Sequence, residues 1–165
     1  MSNPSSFENL PEVLKTVKTK PLLTLKCVVG PAQIIGNTPG GNHLVGVLQS
    51  GFFEGERLSG EVLPGGSDWQ TIRTDGSILL DCKLVLKTSD GEIISLKYTG
   101  VRVNPPSIQA QMAKGEAIRP EDYYLRIVPV FETASEKYAW INNVVAIGIG
   151  NRQPDGPHYS MFEVL

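Results

Sequence analysis

A chain of 165 residues is long enough to bury one core, and 15 Lys plus Arg against 17 Asp plus Glu leave it close to neutral. No run of Lys or Arg could track a phosphate backbone, which argues against nucleic acid as a partner. Charged residues are few, at 19%, while Gly 17 and Pro 12 supply many turns, the composition of a chain of short strands.

Residues 1–20 differ from the rest. Ser5 and Glu8 have the spacing of a capping box, and Phe7, Leu10, Leu14 and Val17 recur at helical intervals, with Pro11 starting or interrupting the run. This predicts an N-terminal helical extension packed on one end of the domain.

Residues 21–165 read as a single all-β domain. Period-2 segments predict strands over 21–29, 43–48, 56–63, 69–73, 78–87, 92–103, 123–131, 138–149 and 158–164, bounded by "GNTPGGN", "QSGFFEG", "PGGSD", "TDG", "TSDG" and "NRQPDG". Gly65 and Gly66 are read as turn residues needing positive φ, with Asp68 capping that turn or pointing into a site. In "DCKLVLK", Cys82, Leu84 and Leu86 share one face and Asp81, Lys83, Val85 and Lys87 the other. The segment "NPPSIQAQMAKGEAIRPED" interrupts the strands with a short helix capped by Ser107 and ending at Gly115, and Pro120 opens a further turn, as in a lid or end cap. In "YAWINNVVAIGIG" both faces are largely apolar, which predicts a strand covered on both sides. Sequential short strands of this kind close as a barrel or stack as a sandwich.

Several chemistries are missing from the sequence. "GIGNRQ" has Gln153 where a dinucleotide fingerprint needs its third glycine, "LPGGSDW" lacks the Lys-Ser/Thr of a phosphate loop, and there is no Gly-x-Ser-x-Gly elbow. His43, His158, Cys27 and Cys82 form no local ligand pair, so neither a metal nor another cofactor is expected. Two cysteines make no disulfide framework and are read as free buried thiols. With no apolar leader and no stretch near the roughly 18 apolar residues of a membrane helix, the expectation is a cytoplasmic protein without a membrane partner.

What remains is a set of polar residues in an apolar hairpin. On its first strand Tyr124, Arg126, Val128, Val130 and Glu132 share a face, with Pro129 suggesting an edge or a bulge; on its second, Tyr138, Trp140, Asn142, Val144 and Ala146 do. If the two faces coincide, they make an aromatic-walled surface carrying a guanidinium, a carboxylate and an amide, as a small-molecule pocket requires. The plainer alternative is an Arg126–Glu132 ion pair, an Asn142 that satisfies backbone groups, and Trp69 and Trp140 as packing.

Taken together and in order, "IGNTPGG", "GFFEGERLSGEVLPGGSDWQTIRTDGSILLD", "LKTSDGEIISLKYTG" and "YYLRIVPVFETASEKYAWINNVVAIGIG" resemble domain-of-unknown-function family 3237 over about residues 21–165. The resemblance implies an antiparallel β-barrel like that of the lipocalins or allene oxide cyclase, with a lumen for a small apolar or aromatic molecule. For some fungal members it implies cofactor-free cyclases that close an oxygen heterocycle from a phenol and an alkene. The positions that carry over are Asp68, Trp69, Asp81, Tyr98, Arg126, Glu132, Tyr138, Trp140 and Asn142. Where many members have an arginine after the early glycines, this chain has "GGNHLV", with Asn42 and His43 near that place.

Two functions follow as expectations. In a cyclase or isomerase, Glu132 or Asp68 is the general acid, Asp81 its partner base, and Arg126 fixes a carboxylate or phenolate; Tyr98, Tyr138 and Trp140 form the walls and Asn142 holds a carbonyl. In a carrier of lipocalin type, the same lumen only binds its ligand. Edge strands and a lightly charged surface favour a homo-oligomer, with a two-fold dimer first.

Overall fold

The computed structural model of the protein describes residues 6–165. Its strands are β1 (Thr19–Val29), β2 (Gln33–Thr38), β3 (Gly41–Glu54), β4 (Ser59–Val62), β5 (Ser67–Ile72), β6 (Ile78–Thr88), β7 (Ile93–Val103), β8 (Tyr124–Glu132), β9 (Ala146–Gln153) and β10 (Gly156–Val164), with one α-helix, α1 (Pro106–Ala113), between β7 and β8. Every strand pairing is antiparallel.

The alternation read from β6 is the rule of the whole wall. Cys82, Leu84 and Leu86 are buried inside while Asp81, Lys83, Val85 and Lys87 face out, and Ile94, Leu96 and Tyr98 of β7 and Leu125, Ile127 and Phe131 of β8 continue the inner layer. Each large apolar side chain so buried contributes about 1.5–3 kcal/mol, enough to fix the register because a one-residue slip would turn the whole set outward. β10 pairs with β1, and β1 pairs with β3, so the sheet closes on itself. β2 continues the stave of β1 along β3, and β4 and β5 share another between β3 and β6, giving a closed barrel of eight staves.

The break between β4 and β5 falls at "PGG". Gly65 has φ +96°, but Gly66 does not need positive φ; a Cβ there would stand 2.7 Å from the Lys83 carbonyl oxygen, so close approach of β6 excludes a side chain. "QSGFFEG" is not a turn, because β3 runs through it to Glu54. β2, absent from the sequence reading, is also strand.

Two further expectations are overturned. The N-terminal segment is not a docked helix: it holds only single 3-10 turns at Phe7–Asn9 and Glu12–Leu14, and Phe7, Leu14 and Val17 are exposed. Ser5 of the capping box lies outside the described residues. Nor is 138–149 one strand. Residues Ala139–Asn143 form a 3-10 turn and β9 begins only at Ala146, because the Asn142 side chain both accepts from the Thr133 N–H (2.8 Å) and donates to the Thr133 carbonyl (3.0 Å), drawing the chain out of the ladder. That turn plugs one end of the barrel with Ile141, fully buried, and Tyr138, whose hydroxyl donates to Asp90 at 2.9 Å. β9 is covered on one side only: Ile147 and Ile149 face out, 41% and 43% exposed.

α1 starts behind Pro105, without a Ser107 cap, and its Ile108 is buried in the core cluster. Pro120 opens a 3-10 turn as the sequence predicts. No described helix is long and apolar enough to cross a membrane.

Candidate active site at the barrel mouth

The register of β5, β6 and β7 sets Asp68 opposite Cys82 and Cys82 opposite Tyr98, all on the inner face. Two residues further toward the end that carries α1 stand Gln70, Leu80 and Gly100, and beyond them Arg102. Tyr159 of β10 and Arg152 of β9 close the ring, and these side chains surround a cavity of about 50 Å³ at the mouth. Gly100 lies between Tyr98 and Arg102 on that face, where a Cβ would meet the Arg126 carbonyl oxygen at 2.5 Å.

Asp68 is the centre of this site. One carboxylate oxygen, Oδ2, accepts from the Gln70 amide at 2.7 Å, while Oδ1 is buried without a partner. Burial pushes the carboxyl above its ordinary value, against the opposing pull of the Gln70 amide and the Asp81 backbone. Desolvation thus works against its charged form, while the Arg102 charge also pulls the other way. Arg102 is also largely desolvated, with Nε buried and unpartnered. Burial, then the charge of Arg152, lowers its pKa, yet a guanidinium keeps its proton in any protein setting. The mouth thus holds an acid near two cations.

Tyr98 and Tyr159 pack with ring centroids 5.4 Å apart, and burial first of all pushes both phenols far above their usual range, so each is a neutral donor. The thiol of Cys27 is pushed up to about 12 by burial, and that of Cys82 higher still. Both cysteines are free, as the sequence predicts, and neither supplies a thiolate nucleophile. At the rim the Arg152 N–H donates to the Tyr123 hydroxyl at 2.6 Å, and that hydroxyl donates to Asn151 at 3.3 Å.

The predicted site residues divide among three places. Asp68 and Tyr98 meet at the mouth. Trp69, Asp81 and Arg126 line a groove on the outside of the barrel; His43 is on the same outer face, its ring 3.1 Å from the Thr71 hydroxyl, and Glu132 is outside as well. Tyr138, Trp140 and Asn142 belong to the plug at the opposite end, with the Arg57 guanidinium 3.6 Å from the centroid of Trp140. The two hairpin faces therefore never coincide. No Arg126–Glu132 ion pair forms among the described residues. Arg102, Arg152, Gln70 and Tyr159 are the site residues the sequence reading missed. Period 2 offered a signal for three of them: Gln70 shares a face with Asp68, Arg102 with Tyr98, and Arg152 with Gly148 and Gly150.

A family model described as a protein of unknown function (DUF3237) matches residues 17–164. The chain belongs to that family. A UPF0311 protein of Rhodopseudomonas palustris is 30% identical over 150 residues, 91% of this chain and 98% of its own, and its crystal structure superposes with a TM-score of 0.84. A β-barrel-like protein of Acinetobacter baumannii, 30% identical, covers 91% of this chain and 97% of its own with a TM-score of 0.79. A hydroalkoxylation enzyme of Penicillium herquei is 29% identical over 127 residues, 77% of this chain and 70% of its own. A crystal structure of an enzyme from Penicillium herquei, 24% identical, shares the fold with a TM-score of 0.69 over 90% of this chain and 95% of its own.

Proposed function

We propose that this DUF3237 protein is a cofactor-independent cyclase that closes an oxygen heterocycle in a small aromatic or polyketide-like substrate, by adding one of its hydroxyl groups across a carbon–carbon double bond. The observation that carries this reading is Asp68: a buried carboxyl, raised above its ordinary value by desolvation, with one oxygen unpartnered at the mouth cavity. The likeness to the Penicillium enzyme supports the reaction class.

In this reading the Asp68 proton goes to one alkene carbon, the substrate oxygen bonds to the other, and the hydroxyl proton returns to Asp68, so the enzyme ends as it began. Arg102 and Arg152 hold the charge of a phenolate or enolate, and Tyr98 and Tyr159 are neutral donors to the substrate's oxygens. Confinement of the chain in one folded conformer supplies much of the acceleration. A cavity of about 50 Å³ holds a water or two, far below the roughly 300 Å³ of a typical ligand site, so binding requires the long side chains of Gln70, Arg102 and Arg152 to swing aside.

The test is turnover of hydroxylated aromatic alkenes in deuterium oxide. The wild type is expected to place one deuterium on the carbon beside the new C–O bond. Asp68→Asn is expected to lose about 10²–10⁴-fold in rate with ligand affinity changed only a few-fold, while Glu132→Gln keeps full rate. Tight binding without conversion by the wild type would make the protein a carrier instead.

A further inference from the structure

The outer face of β5 to β9 is unusually apolar for a wall turned to water. Trp69 is 56% exposed, Tyr124 49%, Val128 54%, Ile147 41% and Ile149 43%, and with their neighbours they line a continuous groove of about 810 Å³. Contiguous exposed apolar surface of this kind marks an interaction site. The face carries one acid and one base near its centre, Asp81 on β6 and Arg126 on β8. Neither has an ion-pair partner among the described residues. Arg126 lies 4.7 Å over the Tyr124 ring and donates to the adjacent Leu125 carbonyl at 2.9 Å.

We propose that this face is the contact between two copies of the chain. The placement of the two charges carries it. Asp81 is registered with Thr99, and Arg126 with Val101, on the strand between them, so the midpoint of the two charges falls over Gly100. With about 4.8 Å per strand across and about 3.3 Å per residue along, they stand roughly 12 Å apart. A two-fold axis in the plane of the face, passing over Gly100 and perpendicular to the line from Asp81 to Arg126, sets Asp81 of each copy on Arg126 of the other. Two symmetric ion pairs then form inside an apolar contact, and the same rotation carries Trp69 of one copy toward the Tyr124 and Ile149 rim of its partner. This is the self-complementarity an isologous interface requires. Closure of the barrel leaves a free edge on β2, which pairs only with β3; the apolar face, not that edge, carries the proposal.

Sedimentation velocity with the full chain tests the pairing. The wild type is expected to sediment as a dimer. Asp81→Arg, which opposes arginine to arginine, and Arg126→Asp, which opposes aspartate to aspartate, are each expected to raise the dimer dissociation constant by about 100-fold, with unchanged far-ultraviolet circular dichroism. Mixed one to one, the two variants are expected to recover a heterodimer, since every contact then joins opposite charges. A wild type that stays monomeric at its highest soluble concentration overturns the proposal and leaves the groove to a different partner. A dimer indifferent to both variants, or a mixture that fails to associate, overturns it equally.

Discussion

At the plugged end of the barrel, polar and aromatic groups satisfy one another: Tyr138 donates to Asp90, Asn142 clasps Thr133 with both ends of its amide, and Arg57 lies over Trp140 while it pairs with Glu163. At the mouth they do not. Three of the four buried side-chain polar atoms without a partner among the described residues are there, Asp68 Oδ1, Arg102 Nε and Asn104 Oδ1; the fourth, Ser135 Oγ, is in the loop leading to the plug. A buried group left unsatisfied costs about 1–3 kcal/mol, more when charged. One end is therefore internally satisfied and the other holds unmet bonding capacity, as the proposed function requires. Polar residues in an apolar strand marked both ends alike, and only their partners tell scaffold from site.

Substitutions at the two ends should move stability in opposite directions. The largest effect is expected from Ile141→Ala, which empties the plug and should destabilise by about 2–5 kcal/mol in urea unfolding, with ligand affinity at the mouth changed little. An equal loss of affinity would mean that the two ends are coupled. Arg102→Met should raise stability by about 1–3 kcal/mol, because it removes a desolvated cation with an unpartnered Nε, and should weaken binding of a phenolate ligand at least tenfold. If the variant unfolds more easily than wild type, Arg102 belongs to the scaffold.

The smallest effect is a pH dependence. Below the ordinary aspartate value of 3.8, Asp68 is protonated in both folded and unfolded chains and contributes nothing to the slope. As pH rises past that value the unfolded chain ionises first, so this carboxyl subtracts from stability until its raised folded-state value is passed, and the deficit then stays constant. Asp90, Asp122, Asp155 and Glu163 are lowered in the folded protein and slope the other way, so the quantity to measure is the difference between wild type and Asp68→Asn. That difference should widen in the variant's favour from about pH 4 upward. A constant difference would mean that burial does not push the Asp68 carboxyl above its ordinary value.

Much of the wall was legible in the chain. The alternation of β6, the turn at Gly65, the free cysteines and the strands from β5 to β8 follow from local rules, since a period of two has one reading once one face is buried. The extension at residues 6–18 and the segment after Tyr138 were misread for a common reason: spacing shows which residues can share a face and cannot show whether that face has a partner. Phe7, Leu14 and Val17 have helical spacing and nothing to pack on, while Trp140 and Asn142 have strand spacing and a stronger local bond to make.

The sequence by itself determined an all-β chain and its family, and it put Asp68 and Tyr98 among the site candidates. Only the tertiary structure decided that Asp68 and Tyr98 meet Arg102, Arg152 and Tyr159, that Trp69, Asp81 and Arg126 turn outward, and that the most polar-looking hairpin supplies the plug. The physical reason is closure. Residues from β5, β7, β9 and β10 face one another only after the sheet has curled into a barrel, and which pairs then meet depends on strand register and barrel shear, which no local pattern encodes.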